Sequence, residues 1–340
     1  MLPESEFLSV PLWLVTTLHI ITLTLHFAAM NFMLGGILIV LWGRFTDRWN
    51  NPTVQQFVKL FPAAMAATIS FGVAPLLFVQ LVYHRQIYSA SIISGWFWFL
   101  IVPVLIVTYY LLYHASLTND QPVSRRRLQL HLALIGLLYV SYIFSSVFSM
   151  AERPDLMKIL YADRQDGLIL NPEVGDYFLR WLHMLAGAVT VGGFFVGLLG
   201  RNNEPAFRVG KLFFLWGMAA AAVFGFIYLV TLGEKILPLM RSPAIWALTT
   251  GIILSGGSLH FFFKKKFWIS GPMVALSMIS MVYTRHELRL IRLADFYNPS
   301  TLPVNPQWSV FALFIACFVV MIGMMVYMLR LFLGSKHAGA

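Results

Sequence analysis

Two histidines seven residues apart, His19 and His26 in "LHIITLTLHFAAMNFMLGG", and a third, His183 in "FLRWLHMLAGAVTVGGFFVGLLGR", stand inside apolar runs long enough to cross a bilayer. An imidazole in hydrocarbon has two polar nitrogens to satisfy, and ionisable side chains at that depth are costly enough to signal function. Seven residues is two helical turns, so His19 and His26 share one helix face about 10 Å apart along the axis. Thr22, Ala29, Met33 and Gly36 continue that face. Ala186, Gly187 and Thr190 follow His183 at one and two turns, and Gly193 and Gly197 lie beyond at GxxxG spacing. Small residues beside an imidazole suit a flat macrocycle, whose ring must approach the backbone while a ring nitrogen reaches its iron. A packing stripe between helices would also favour small residues but would not need the histidines. His19, His26 and His183 are therefore candidate haem iron ligands, with His286 a fourth.

Charged residues gather near two helix ends. "LVYHRQIY" sets His84 beside Arg85, and "MVYTRHELRLIRL" sets His286 among Tyr283, Arg285, Glu287, Arg289 and Arg292. Arginines at such a rim can hold haem propionates through charge-assisted hydrogen bonds; interfacial anchoring is the alternative. Glu287, His286 and His84 are candidate proton acceptors for quinol oxidation, because a histidine titrates near neutral pH and can pass a proton on. His114, His131 and His260 fall at the opposite helix ends, where an imidazole sits easily at the interface, and His337 belongs to the tail. Cys317 is the only cysteine, which excludes an internal disulfide, a zinc knuckle and a cysteine-held iron–sulfur cluster.

The elements that must position these residues follow from composition. The chain is 59% hydrophobic and 11% charged, with a mean hydropathy of +0.76, more apolar than a water-soluble domain can bury. An all-α polytopic bundle is predicted, with about nine spans near 10–43, 57–83, 93–114, 127–149, 175–200, 208–233, 242–263, 267–284 and 308–333. The first run lacks a short apolar core and cleavage site, so it reads as a span and not as a leader. Arg44, Arg48, Arg125 to Arg127, Arg201, Arg208 and Lys264 to Lys266 fall on one side, and most acidic residues on the other. By the positive-inside rule the N-terminus is outside and the C-terminus cytoplasmic. The formal charge of +10 then reflects loop bias and no nucleic-acid partner. The segment 151–176 reads as an external loop, solvated or a docking surface for an external partner, and the whole chain as a single membrane domain.

The run "LILNPEVGDYFLRWLHMLAGAVTVGGFFVGLLGR", with Asn-Pro before the span and a histidine in its outer third, resembles subunit I of the cytochrome bd-type quinol oxidases. The span number, the outside N-terminus, the first-helix histidine, "SFGVAP" in the second span and "VTLGEK" closing the sixth fit the same family, so the likeness covers most of the chain. It implies that His183 matches the ligand of a low-spin b haem, that His19 or His26 matches the ligand of a second haem centre, and that Glu287 stands where the family has an acidic haem-site residue near an arginine. Three departures matter. "EKILPLMRSP" is too short for the family's quinol-binding loop, the second span has no carboxylate for proton delivery, and the methionine that pairs with the fifth-helix histidine has no clear counterpart beyond Met240 or another histidine. These losses argue against four-electron oxygen reduction.

The expectation is a b-type cytochrome subunit with two or more b haems in a bacterial or archaeal cytoplasmic membrane. It would move electrons between quinone or quinol and an external redox partner, a multihaem c-type cytochrome, within a respiratory complex. The alternatives are a bd-type terminal oxidase, or a transporter or assembly subunit without haem.

Overall fold

The computed structural model describes residues 8–45, 47–117 and 122–335; Asp120, Lys336 and His337 lie outside them. Runs of apolar residues free of charge fold as helices because hydrocarbon leaves backbone polar groups no partner but each other. The order is α1 (Leu12–Trp42), α2 (Pro52–Val82), α3 (His84–Ile93), α4 (Gly95–Phe99), α5 (Ile101–Leu117), α6 (Val123–Met150), α7 (Pro154–Asp163), α8 (Val174–Leu199), α9 (Glu204–Thr231), α10 (Ile236–Arg241), α11 (Ala244–Phe263), α12 (Phe267–Leu293) and α13 (Trp308–Ser335). Helix starts carry their own signals: Asn51 accepts from the Thr53 amide at 3.0 Å ahead of Pro52, and Asn203 accepts from the Ala206 amide at 3.3 Å.

Among the described residues, eight spans are long and apolar enough to cross a membrane, α4 and α5 together forming one of them. The ninth expected span coincides with α13, whose described apolar part is Trp308–Cys317. Large apolar side chains on the outside, including Phe226, Trp246, Ile253 and Trp268, are mostly exposed, as a lipid-facing surface requires. The protein is a multi-pass helical membrane protein.

Two boundaries differ from expectation. The eighth span runs to Leu293 and not to 284, because Arg285, Arg289 and Arg292 have a buried counter-ion and need not leave the bundle. The segment 151–176, expected as an external loop, is not all solvated loop: it holds α7, and Glu152 is 1% exposed.

The chain forms two compact units, Met1–Thr16 with Pro299–Ala340, and Thr17–Asn298. In the first, Leu8 pairs with Val304 in a parallel bridge, with Leu8 N–H donating to Pro303 at 2.8 Å and Asn305 N–H to Leu8 at 2.9 Å. The second holds the histidines. Within it α1, α8 and α9 meet through glycines: a Cβ on Gly35 would strike the Ala188 carbonyl, and one on Gly210 would strike the backbone at Gly197. Close backbone approach of this kind is how helices associate without a hydrophobic driving force. Phe194, Phe207, Phe214 and Phe262 fill the space beyond.

Candidate functional site

Each deep histidine is clasped by a neighbouring helix. His19 Nδ1 lies 3.1 Å from the Pro75 carbonyl and His26 Nδ1 2.9 Å from that of Thr68, both on α2. His183 Nδ1 lies 2.7 Å from the Ala221 carbonyl on α9. A carbonyl only accepts, so Nδ1 carries the proton and the Nε2 of a neutral ring holds the unshared pair. Imidazoles that ligate metals are oriented in this way, the far nitrogen donating to a carbonyl or carboxylate. The clasp recurs with a second part. Gly72, four residues past Thr68, and Gly225, four past Ala221, let the rings lie against the helix; a Cβ at either position would meet Nδ1 at 2.8 Å.

The small residues noted in the sequence divide into two groups. Gly187, one turn past His183, faces open space, with nothing within 4 Å of a Cβ built there. Gly36 is covered by Phe57 and Phe61, Thr190 presses on Gly217, and Gly193 and Gly197 meet α9 and Phe262. Room for a flat ring beside His183 therefore rests on Gly187, and the GxxxG pair is helix packing.

A buried ionic cluster closes one end of the bundle. Glu152, just past the end of α6, is ion-paired to Arg285, lies 3.4 Å from Arg289 Nε and 3.9 Å from Arg292 Nη1. Arg180 of α8 adds a fourth guanidinium within its field and donates to the Ser145 carbonyl at 2.9 Å. Burial alone would raise the Glu152 carboxyl, but Arg285, Arg292, Arg289 and Arg180 together hold it down at about 2. Arg289 stacks over the Tyr83 ring at 5.4 Å, and burial pushes the Tyr83 hydroxyl up to about 12. Among the described residues, the buried atoms Arg180 Nη1, Arg289 Nη1, Tyr83 Oη and Tyr228 Oη have no hydrogen-bond partner, and Tyr228 lies within electrostatic reach of Arg180. Buried polar atoms left in this way call for water or a polar ligand.

Several residues singled out in the sequence meet here. His19 lies within electrostatic reach of Arg289 and His286, and Glu287 within hydrogen-bonding reach of Tyr283. His84 and Arg85 open α3, and Arg85 acts on Tyr297, whose hydroxyl donates to the Val82 carbonyl at 2.6 Å and whose ring packs on Tyr83 at 5.8 Å. His26 stands apart, two turns deeper on α1. His114 is held by Gln129 at 2.8 Å and His131 by the Arg127 carbonyl at 2.8 Å, both at the other end. His260 is exposed, its ring 5.3 Å from Phe261.

Sequence reasoning missed Glu152, Arg180, Tyr83 and Tyr228. The available signal was indirect: arginines at 285, 289 and 292 share one helix face and imply a counter-ion. Among the described residues no three of His, Cys, Asp and Glu gather as a bare metal ion requires. A porphyrin brings its own four nitrogen donors, so single imidazoles suffice for it. The Nδ1 clasps, the open space at Gly187 and the unpartnered guanidinium nitrogens fit that group. No protein-family model matches the chain, and no curated protein matches it.

Proposed function

We infer that the chain is a membrane b-type cytochrome subunit that passes electrons between quinol or quinone and a redox partner outside the cytoplasmic membrane of a bacterium or archaeon. The observation that carries this reading is the triple clasp of His19, His26 and His183, each held by Nδ1 so that Nε2 is presented as a donor. Haem b, when bound, supplies reversible one-electron transfer at a potential set by its ligands, burial and neighbouring charge. The polypeptide's work is to orient the imidazoles, to keep water from the deep site at His26, and to place cations where propionates would lie. Arg285, Arg289 and Arg292 serve that last purpose together with Arg180, since four guanidiniums gather there on the buried carboxylate of Glu152.

Quinol oxidation releases two protons with its two electrons. Glu287, hydrogen-bonded to Tyr283, and His286 are the acceptors this reading assigns, with His84 a third candidate. An external multihaem c-type cytochrome in a respiratory complex is the partner this arrangement suits, because His19, His183 and the arginine cluster lie toward the end that the charge asymmetry assigns to the outside.

A pyridine haemochrome assay with a dithionite-reduced spectrum tests the reading. Purified protein is expected to carry b haem, and His183→Ala to lose one equivalent while still inserting in the membrane. Full haem content in that variant would refute the assignment at α8.

A further inference from the structure

The residues that hold His19 and His26 also fix how far each lies from the buried charge. Pro75 and Thr68, which clasp them, are seven residues apart on α2, so the two rings are anchored about 10 Å apart and cannot ligate one iron. Tyr83 caps the same helix, and Arg289 stacks on it. Along the axis of α2 the clasp of His19 is therefore about 12 Å from Tyr83, on which that cation stacks, and the clasp of His26 about 22 Å. His183 belongs with His19, because Arg180 precedes it by one turn of α8.

Four guanidiniums, each permanently protonated, gather on Glu152 at this end, and cations outnumber carboxylates there even with Glu287, whose charge also reaches Tyr83. Arg180, Arg289 and Glu152 are almost wholly buried, so bulk water and salt screen this charge little, and its influence falls with distance. Ferric haem carries one more positive charge than ferrous haem. A cationic neighbour therefore favours the reduced form, and favours it more at the nearer site.

Resting on the cytochrome reading above, we propose that the Glu152–arginine cluster grades the reduction potentials of the chain's haem sites, raising those at His19 and His183 above the one at His26. With haem bound, His26 would hold the donor centre and His19 or His183 the acceptor, so that one electron lost by the first would be gained by the second with no proton required. Transfer toward the outer end is then downhill. Glu152 acts as a positioning residue: it gathers the arginines and sets the size of the surplus, and touches no reacting atom.

Equilibrium redox titration of the purified holoprotein, followed at the haem absorbance, tests this. Glu152→Gln removes one negative charge and is expected to move the higher-potential component upward while leaving the lower one in place. Arg292→Gln removes one positive charge and is expected to move the same component downward. Arg292 lies farthest from Glu152 of the three α12 arginines, at 3.9 Å, so this variant decides the matter if Glu152→Gln fails to fold. His26→Ala is expected to lack the unmoved component. A shift of the wrong sign, an equal shift of both components, or no shift would overturn the proposal. Wild-type protein without b haem, read from the haemochrome before any titration, would instead refute the cytochrome reading itself.

Discussion

A carboxylate removed from water costs several kcal/mol unless cations come with it, and at Glu152 four do. Its carboxyl is held near 2 against an ordinary value of 4.5, so the folded state binds that proton less readily than the unfolded one. The resulting stability is complete above pH about 4.5 and is lost as the pH falls through about 2; two and a half units correspond to ~3 kcal/mol. Thermal unfolding in detergent should show a midpoint falling over that window, and the same curve should flatten in Glu152→Gln. That variant should also be less stable at neutral pH by about 3–5 kcal/mol, because it leaves the guanidiniums uncompensated. The chain's own text hid this residue. "AERPDLMK" mixes turn formers with both signs of charge and reads as solvated, and the ion-pair partners of Glu152 on α12 lie more than a hundred positions away.

At the level of single helices, hydropathy carried most of the information. Eight of the nine expected spans coincide with observed helices to within a few residues, since an apolar stretch has one stable form in lipid. The eighth ended early in the sequence reading because arginines near its end resemble a membrane stop. The histidine stripe on α1 was legible from its spacing, whereas the carbonyls that clasp it were not, because any helix offers carbonyls and only the fold selects Pro75, Thr68 and Ala221. Gly225 gives a test at this scale. Gly225→Leu puts a side chain into the His183 ring and should weaken haem retention at that site by roughly 10–100-fold, the usual cost of losing an orienting partner. Gly256→Ala, where a Cβ meets nothing within 4 Å, should bind haem as the wild type does. Haem content after gel filtration in detergent separates the two.

For the molecule as a whole, orientation rests on the charge asymmetry and is open to direct measurement. In a Cys317→Ser background, a cysteine at Arg164 should react with an impermeant maleimide added to whole cells, and one at Lys264 only after lysis. Reversed labelling would place the arginine cluster on the cytoplasmic side and reverse the direction of downhill transfer. Fold class was readable from bulk composition alone, whereas the charged centre was not, because it is assembled from α6, α8 and α12 and no single segment contains it. One further consequence follows from α1 and α2, which are coupled at His19–Pro75 and again at His26–Thr68 with equal separations on each. The pair works as a gauge. A residue inserted between the two rungs on one helix would turn one clasp aside by about 100°, and only a whole-heptad change in both helices would keep the two rungs facing each other.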